Sequence, residues 1–333
     1  MKENLKRVER FKKDEFIERN ILFFNKHLKT LNKHYIRKNI YFDKPIVFIM
    51  GLQRSGTTLL FEFLYRNFDF VYPDHIVARF WNAPFLGVLI SQSIRKDFEK
   101  LGFFEKGVFE SVYGVTKDVF GGHEFGYFWK NYFGFMPHNQ LSEKKLKKIE
   151  IESLKKDLSL MMYYGKKPLL FKVVPLSFNA DFLCNVFPNS YFVFVKRDLL
   201  YVAQSTYIAR KERYGNYKVW WSIRPKEYFK LRKYSPLKQI AGQVYFSKKH
   251  IDEAFGKLPK DRKIVIHYED LCANPKKTAV LLRRFLPKTI KTKKFVLPQN
   301  FKNSNMIKIS KRNFEMLKKY LNDFAEMDRK CAE

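Results

Sequence analysis

Residues 45–60, Pro-Ile-Val-Phe-Ile-Met-Gly-Leu-Gln-Arg-Ser-Gly-Thr-Thr-Leu-Leu, read as a buried strand, a tight loop and the start of a helix. Gly51 and Gly56 have four residues between them and are followed by Thr57 and Thr58, the spacing of a phosphate-binding loop. A nucleotide-hydrolysing loop carries Lys where Thr57 stands. Here the positive charge sits inside the loop, at Arg54. The loop's backbone N–H groups, gathered at a helix N-terminus, suit an anion. Gln53 precedes the arginine, Ser55, Thr57 and Thr58 add hydroxyl donors, and Arg54 adds a planar fork that matches phosphate or sulfate oxygens.

A strand–loop–helix unit of this kind belongs in a repeating pattern, and the chain supplies one. Apolar runs at 45–50, 168–174, 190–196 and 262–267 each lead toward a helical pattern, at 57–67, 176–187, 198–212 and 275–286. The expected fold is α/β, with a central parallel sheet like that of P-loop NTPases, flanked by helices. With no repeat and no low-complexity linker, one domain is expected over 1–333. It comprises a basic helical lead at 1–40, a core at 41–290, and a basic tail with a last helix at about 311–330. Two inserts interrupt the pattern. Residues 72–165 are rich in aromatics and glycines (Gly102, Gly107, Gly114, Gly121, Gly122) and end in a charged helix at 141–163; residues 213–235 carry Trp220, Trp221, Arg224 and Tyr228. Ligands bind outside the carboxyl ends of strands in such sheets, so the helical and irregular inserts are expected to be substrate-facing walls.

The chain holds 65 Lys+Arg against 33 Asp+Glu, a net charge of +32, so its partners are expected to be polyanionic: nucleic acid, anionic membrane, an acidic glycan or a polyphosphorylated donor. A hydrophobic content of 46% excludes a disordered basic tail. No run approaches the roughly 18 apolar residues of a spanning helix, and Met1–Lys13 has no apolar signal core, so a cytoplasmic protein is expected. The lead places Phe16, Ile17, Phe23, Phe24, Leu28 and Leu31 at helical spacing. Packing on the body is the first expectation, and peripheral contact with anionic lipid the second. Cys184, Cys272 and Cys331 are too scattered for a disulfide framework or a metal knuckle, and no His/Cys/carboxylate cluster has ligand spacing, so no metal site is expected.

A second constellation is Tyr191-Phe-Val-Phe-Val-Lys-Arg-Asp198, with Arg197 at the strand end and Ser205 eight residues on, inside the next helix. Alone it suggests a surface arginine and an ordinary serine. Paired with the loop at 51–58, it resembles the sulfotransferases that use 3′-phosphoadenosine 5′-phosphosulfate (PAPS). The likeness runs over about 45–286 and includes Leu169-Leu-Phe-Lys-Val-Val-Pro175, Val186-Phe-Pro-Asn189 and His267-Tyr-Glu-Asp-Leu-Cys-Ala-Asn-Pro275. The resemblance implies that Gln53, Arg54, Ser55, Gly56, Thr57 and Thr58 grip the 5′-phosphosulfate, with Gln53 standing where the family usually has Pro. It implies that Arg197 and Ser205 grip the 3′-phosphate, that Lys172 lies near the transferred sulfuryl group, and that 3′-phosphoadenosine 5′-phosphate (PAP) is the product, with no metal required.

The proton acceptor is left open by the same resemblance. Cytosolic small-molecule members place a His two residues after the strand lysine, where this chain has Val174. Golgi-type members use a Glu about twenty residues beyond the loop's basic residue, where this chain has Asp74 and His75. Both are therefore catalytic candidates, with Asp74 alternatively a helix cap. His123 and Glu124 form a second pair, suited to catalysis or to acceptor binding, and Trp220, Trp221 and Tyr228 offer stacking faces. Glu62 reads as a helix-packing residue, and His27, His34, His138 and His250 as surface residues. The Arg-Lys-Gly segment that cytosolic members close over the 3′-phosphate is missing. Asn303-Ser-Asn305 and Lys308–Arg312 are the candidates to replace it, and the departure favours the Golgi-type and bacterial branch. The implied reaction is sulfuryl transfer to a hydroxyl or amine of a glycan, lipid or peptide. The rivals are a P-loop nucleotide kinase or NTPase, with Glu269-Asp270 after the strand at 262–267, and a basic nucleic-acid-binding protein without a known reader motif.

Overall fold

The computed structural model describes residues 7–36, 43–101, 111–112, 115–116 and 118–330. Gly102, Gly107, Gly114, Cys331 and the side chain of His34 lie outside the described set. In chain order the elements are α1 (Glu15–Ile36), β1 (Ile46–Gly51), α2 (Thr57–Asn67), α3 (Pro84–Lys100), β2 (Ser111–Val112), β3 (Val115–Thr116), α4 (Gly126–Phe133), α5 (Glu143–Leu146) and α6 (Ile151–Gly165). They continue with β4 (Leu169–Lys172), α7 (Ala180–Val186), β5 (Ser190–Lys196), α8 (Leu199–Tyr214), α9 (Tyr228–Leu231), α10 (Pro236–Gly256), β6 (Lys263–His267), α11 (Tyr268–Ala273), α12 (Pro275–Phe285) and α13 (Lys311–Lys330).

The main sheet is parallel, in the order β4-β1-β5-β6. Its central strand is buried throughout, and the period-two alternation sends Phe48 and Met50 into one core and Val47 and Ile49 into the other. The first core packs against α4, α6, α8, α10 and α13, and the second against α2, α11 and α12. Each fully buried Phe or Leu there contributes about 1.5–3 kcal/mol of apolar transfer. Helices thus cover both faces of the sheet. The chain leaves β1 for β4 on one side, then crosses to β5 on the other. The carboxyl end of β1 is therefore a topological switch point, where a ligand crevice opens.

Helix α10 is unassigned by the sequence reading. Its buried face is mixed, with Gln239, Gln243, Ser247 and His250 among Ile240, Ala241, Val244 and Ile251, which blurs the apolar periodicity. His250 is accordingly a correction: it is buried, with Nε2 at 2.9 Å from Glu227 and Nδ1 at 3.1 Å from Glu253. The lead needs a correction only in which of its residues face the body. Phe16, Ile17, Phe23 and Phe24 face solvent, and α1 docks through other residues. Asn25 Nδ2 donates to the Arg79 carbonyl at 2.8 Å, and Asn32 Nδ2 donates to Asp157 Oδ1 at 2.7 Å.

That last contact carries a pH dependence. Burial pushes the Asp157 carboxyl up to about 6, against partial compensation from Tyr132 and Asn32. A carboxyl raised in the folded state stabilises the fold below its unfolded value near 3.8 and loses that contribution as pH rises through about 6. Asp157→Asn keeps an acceptor for Asn32 and a donor for Tyr132 without the buried charge. The variant is expected to match wild type near pH 4 and to exceed it by about 2–3 kcal/mol at pH 7 in urea unfolding.

Candidate active site

The loop at the end of β1 is shaped by backbone geometry that few residues tolerate. Gly51 and Gly56 take φ of +146° and +98°, and Arg54 itself has φ of 65°. A Cβ on Gly56 would stand 2.5 Å from the Tyr268 ring, so glycine is needed for space as well as for conformation. Ser55 is a correction to its expected role. Its hydroxyl is buried and donates to the Leu52 carbonyl at 2.7 Å, bracing the turn. Gln53, Arg54, Gly56, Thr57 and Thr58 line a cleft of about 900 Å³ outside the strand ends.

The two distant constellations meet here. Arg54 Nε donates to Ser205 Oγ at 2.9 Å, and Arg197 Nη1 donates to the Arg54 carbonyl at 2.8 Å. Parallel pairing of β1 with β5 sets Gly51 beside Val195, which brings Arg197 level with the loop. Burial draws the Arg197 pKa down. Its guanidinium lies 4.4 Å above the Tyr268 ring, and its Nε donates to Asn305 Oδ1 at 2.8 Å. Arg197 lines the cleft, while Ser205 reaches it through Arg54.

The C-terminal coil is pinned across this end of the cleft. Asn305 Nδ2 donates to Glu269 Oε1 at 2.6 Å, the Ser304 N–H to Tyr268 Oη at 2.9 Å, and the Lys308 N–H to Gln204 Oε1 at 2.8 Å. Phe301, Lys302 and Ser304 form part of the cleft wall. Glu269, named above with Asp270 for the NTPase rival, spends Oε1 on Asn305 and on the Asp198 N–H. Tyr268 is a residue the sequence reading gave no role. Its signal was Gly56, whose missing Cβ leaves room for an aromatic ring.

The opposite wall is built by pairing the start of the long insert with its middle. Val71 extends the sheet edge beside Leu169, Asp74 bridges Gly122, and the His123 N–H donates to the Pro73 carbonyl at 2.7 Å. Asp74 is thereby removed from the catalytic candidates. It is buried, Oδ1 accepts from the N–H groups of Ile76 and Val77, and Oδ2 accepts from Ser91 and from Arg95 at 2.9 Å. It caps a turn and anchors Arg95. His75 does line the cleft, its ring edge-on to His123 at 5.4 Å between centroids. Burial, then the nearby His75, pull the His123 pKa down to about 3, so its ring is neutral; Nδ1 accepts from the Phe125 N–H at 2.9 Å.

Glu124 projects from this wall toward the loop. Its Oε1 lies 3.1 Å from Lys172 Nζ, which also donates to Thr58 Oγ1 at 2.9 Å. Pairing Ile49 with Lys172 places that lysine beside the strand feeding the loop. Lys172, Thr58 and Glu124 thus form one connected group, with the carboxylate half-exposed in the cleft. Among the described residues no group of three or more His, Cys, Asp or Glu side chains could hold a metal ion.

At the far end stand Arg7, Arg213, Trp220, Trp221 and Arg224. The Arg213 guanidinium lies 5.1 Å from the Trp221 ring and 4.9 Å from Phe11 of the lead. Buried Arg210 underlies Trp220 at 5.0 Å. Tyr228 is a correction: it is buried behind Trp220 and does not line the cleft. Nothing in the sequence singled out Arg7 or Arg213 among so many basic residues.

A family model described as a sulfotransferase family matches residues 45–287, which is most of the chain. The chain belongs to the sulfotransferase family. Among curated proteins no significant match is found. Among solved structures, sulfotransferase STF1 from Mycobacterium tuberculosis H37Rv is similar at TM-score 0.53 and 15% identity, over 88% of this sulfotransferase and 81% of that chain. Sulfotransferase STF9 from Mycobacterium avium is similar at TM-score 0.51 and 13% identity, over 82% of this chain and 73% of that one. At such identities the likeness extends to the fold. No described helix of this sulfotransferase is long and apolar enough to cross a membrane.

Proposed function

We propose that the cleft binds PAPS and transfers its sulfuryl group to an anionic acceptor, with Glu124 as the proton acceptor. The observation that carries this reading is the meeting of Arg54, Ser205 and Arg197 over one loop, two arginine-centred anion sites joined by 2.8 and 2.9 Å hydrogen bonds. The residues fit a bisphosphorylated nucleotide. Buried Gln53 leaves its amide nitrogen and oxygen without partners, and the glycine loop offers N–H groups where a Cβ would not fit.

Arg54, Thr57, Thr58 and the loop amides would hold the 5′ end, and Arg197 with the 302–305 segment the 3′-phosphate. When bound, the donor supplies a sulfuryl group that passes to the acceptor oxygen as its bond to the 5′-phosphate breaks. Lys172, held between Thr58 and Glu124, places a cation where negative charge grows on the departing side. Glu124 Oε1 receives the acceptor's proton. His75, on the same wall, serves to position the acceptor.

Glu124 is the sole carboxylate among the described residues lining the cleft, and Arg7, Arg213 and Arg224 gather at its far end. That balance favours an acceptor bearing carboxylate, sulfate or phosphate, with Trp221 as an apolar platform. Radiolabelled PAPS should label acidic sugars or acidic lipid headgroups about tenfold or more faster than their neutral counterparts. Equal labelling of neutral acceptors would overturn the assignment of the far end.

A further inference from the structure

We propose that α1 docks this enzyme onto an anionic membrane surface. One face of the helix carries Phe16, Ile17, Phe23, Phe24 and Leu31, which are 75%, 51%, 58%, 59% and 40% exposed. The rows 16–23 and 17–24–31 repeat at seven residues, so these side chains form one continuous apolar stripe. Within it Phe23 packs edge-on against Phe24, at 6.0 Å between ring centroids, and against His27 at 4.5 Å.

The stripe is held outward because the opposite face is tied down. Asn25 bonds to Arg79 and Asn82, Asn32 to Asp157, and Glu18 accepts from Tyr127 Oη at 2.9 Å. A fixed helix presenting five aromatic or branched apolar side chains to water wastes their transfer energy unless something covers them. Charge decides what does. Arg19, Lys26 and Lys29 are exposed along the helix, on a chain of net charge +32. A second copy would bring like charges together, whereas phosphate headgroups complement them and the Phe rings enter the acyl boundary.

The placement relates the surface to the cleft. The segment before α1 supplies Arg7 to the acceptor end, its Val8 N–H donates to the Arg213 carbonyl at 2.9 Å, and Lys13 reaches Tyr127, the neighbour of cleft-lining Gly126. The docking proposal itself does not depend on the reaction assigned to the cleft.

The full-length protein is tested by cosedimentation with phosphatidylcholine vesicles, with and without about a quarter phosphatidylglycerol, at physiological salt. Phe16→Ser/Phe23→Ser/Phe24→Ser leaves the net charge unchanged, and its exposed positions leave the thermal melt unchanged. Wild type should bind the anionic vesicles and the triple variant about 10²-fold more weakly. Phe23→Trp should show a blue-shifted emission on addition of the same vesicles. Equal binding by wild type and the triple variant, or no emission shift, would reduce the attraction to diffuse charge and overturn the proposal. Self-association of wild type without vesicles, lost in the triple variant, would instead assign the stripe to a second copy and also overturn it.

Discussion

Replacing Glu124 with Gln should lower turnover by about 10²–10⁴-fold while leaving PAP affinity within about twofold of wild type. The amide keeps the size and polarity of the side chain, so the wall formed by residues 72–75 and 120–124 stays intact. What is lost is the proton-accepting oxygen beside Lys172 and Thr58. The effect should fall mainly on kcat, since the interaction matters only as the acceptor's proton leaves. His75→Asn should act chiefly through KM for the acceptor. If the Glu124 variant turns over normally and the His75 variant does not, the two assignments exchange. Asp74→Asn is no test of catalysis, because Asp74 is committed to Ser91, Arg95 and two backbone N–H groups.

Arg197→Ala should weaken PAP binding by about 10²–10³-fold, the scale of removing one member of a partly buried charge-assisted pair. The loss has two parts. One is the anion contact; the other is the bond to the Arg54 carbonyl, which holds the loop in its positive-φ shape. Arg197→Lys restores charge but not the fork that serves Asn305 and the loop together, so it should recover only part of the affinity. Isothermal titration of PAP into the three proteins checks the order wild type, Lys variant, Ala variant.

The central sheet is legible because its strands are unbroken apolar runs ending at glycine or at charge, as Ile46–Gly51 and Ser190–Lys196 do. Helix α13 is legible for the same kind of reason, an amphipathic pattern with a sharp start. The loop end of the cleft is readable as a combination, since Arg197 and Ser205 carry meaning only beside the loop. What does not read out is long-range. Glu124 is only one of several candidates by sequence; the bridge of Asp74 to Gly122 is what turns residue 124 toward Lys172. Asp74 passes for a base by spacing alone, and only its buried partners show it to be a brace. Asn303–Asn305 can be named as a cover, but what holds residues 304–308 as a wall, hydrogen bonds to Tyr268, Glu269 and Gln204, cannot be read. Apolar spacing in α1 does not tell which side docks: the side on the body is the one carrying Asn25 and Asn32, while Phe16, Ile17, Phe23 and Phe24 face solvent.

The most direct measurement is the affinity of the wild-type protein for PAP against ADP and ATP, by calorimetry with chelator present and again with Mg²⁺. With Arg54 and Arg197 holding the two phosphates as proposed, PAP should bind about 10²-fold or more tightly than ADP, which lacks the 3′-phosphate, and should do so in chelator. Tighter binding of ATP with Mg²⁺ than of PAP, or equal binding of PAP and ADP, would contradict the account.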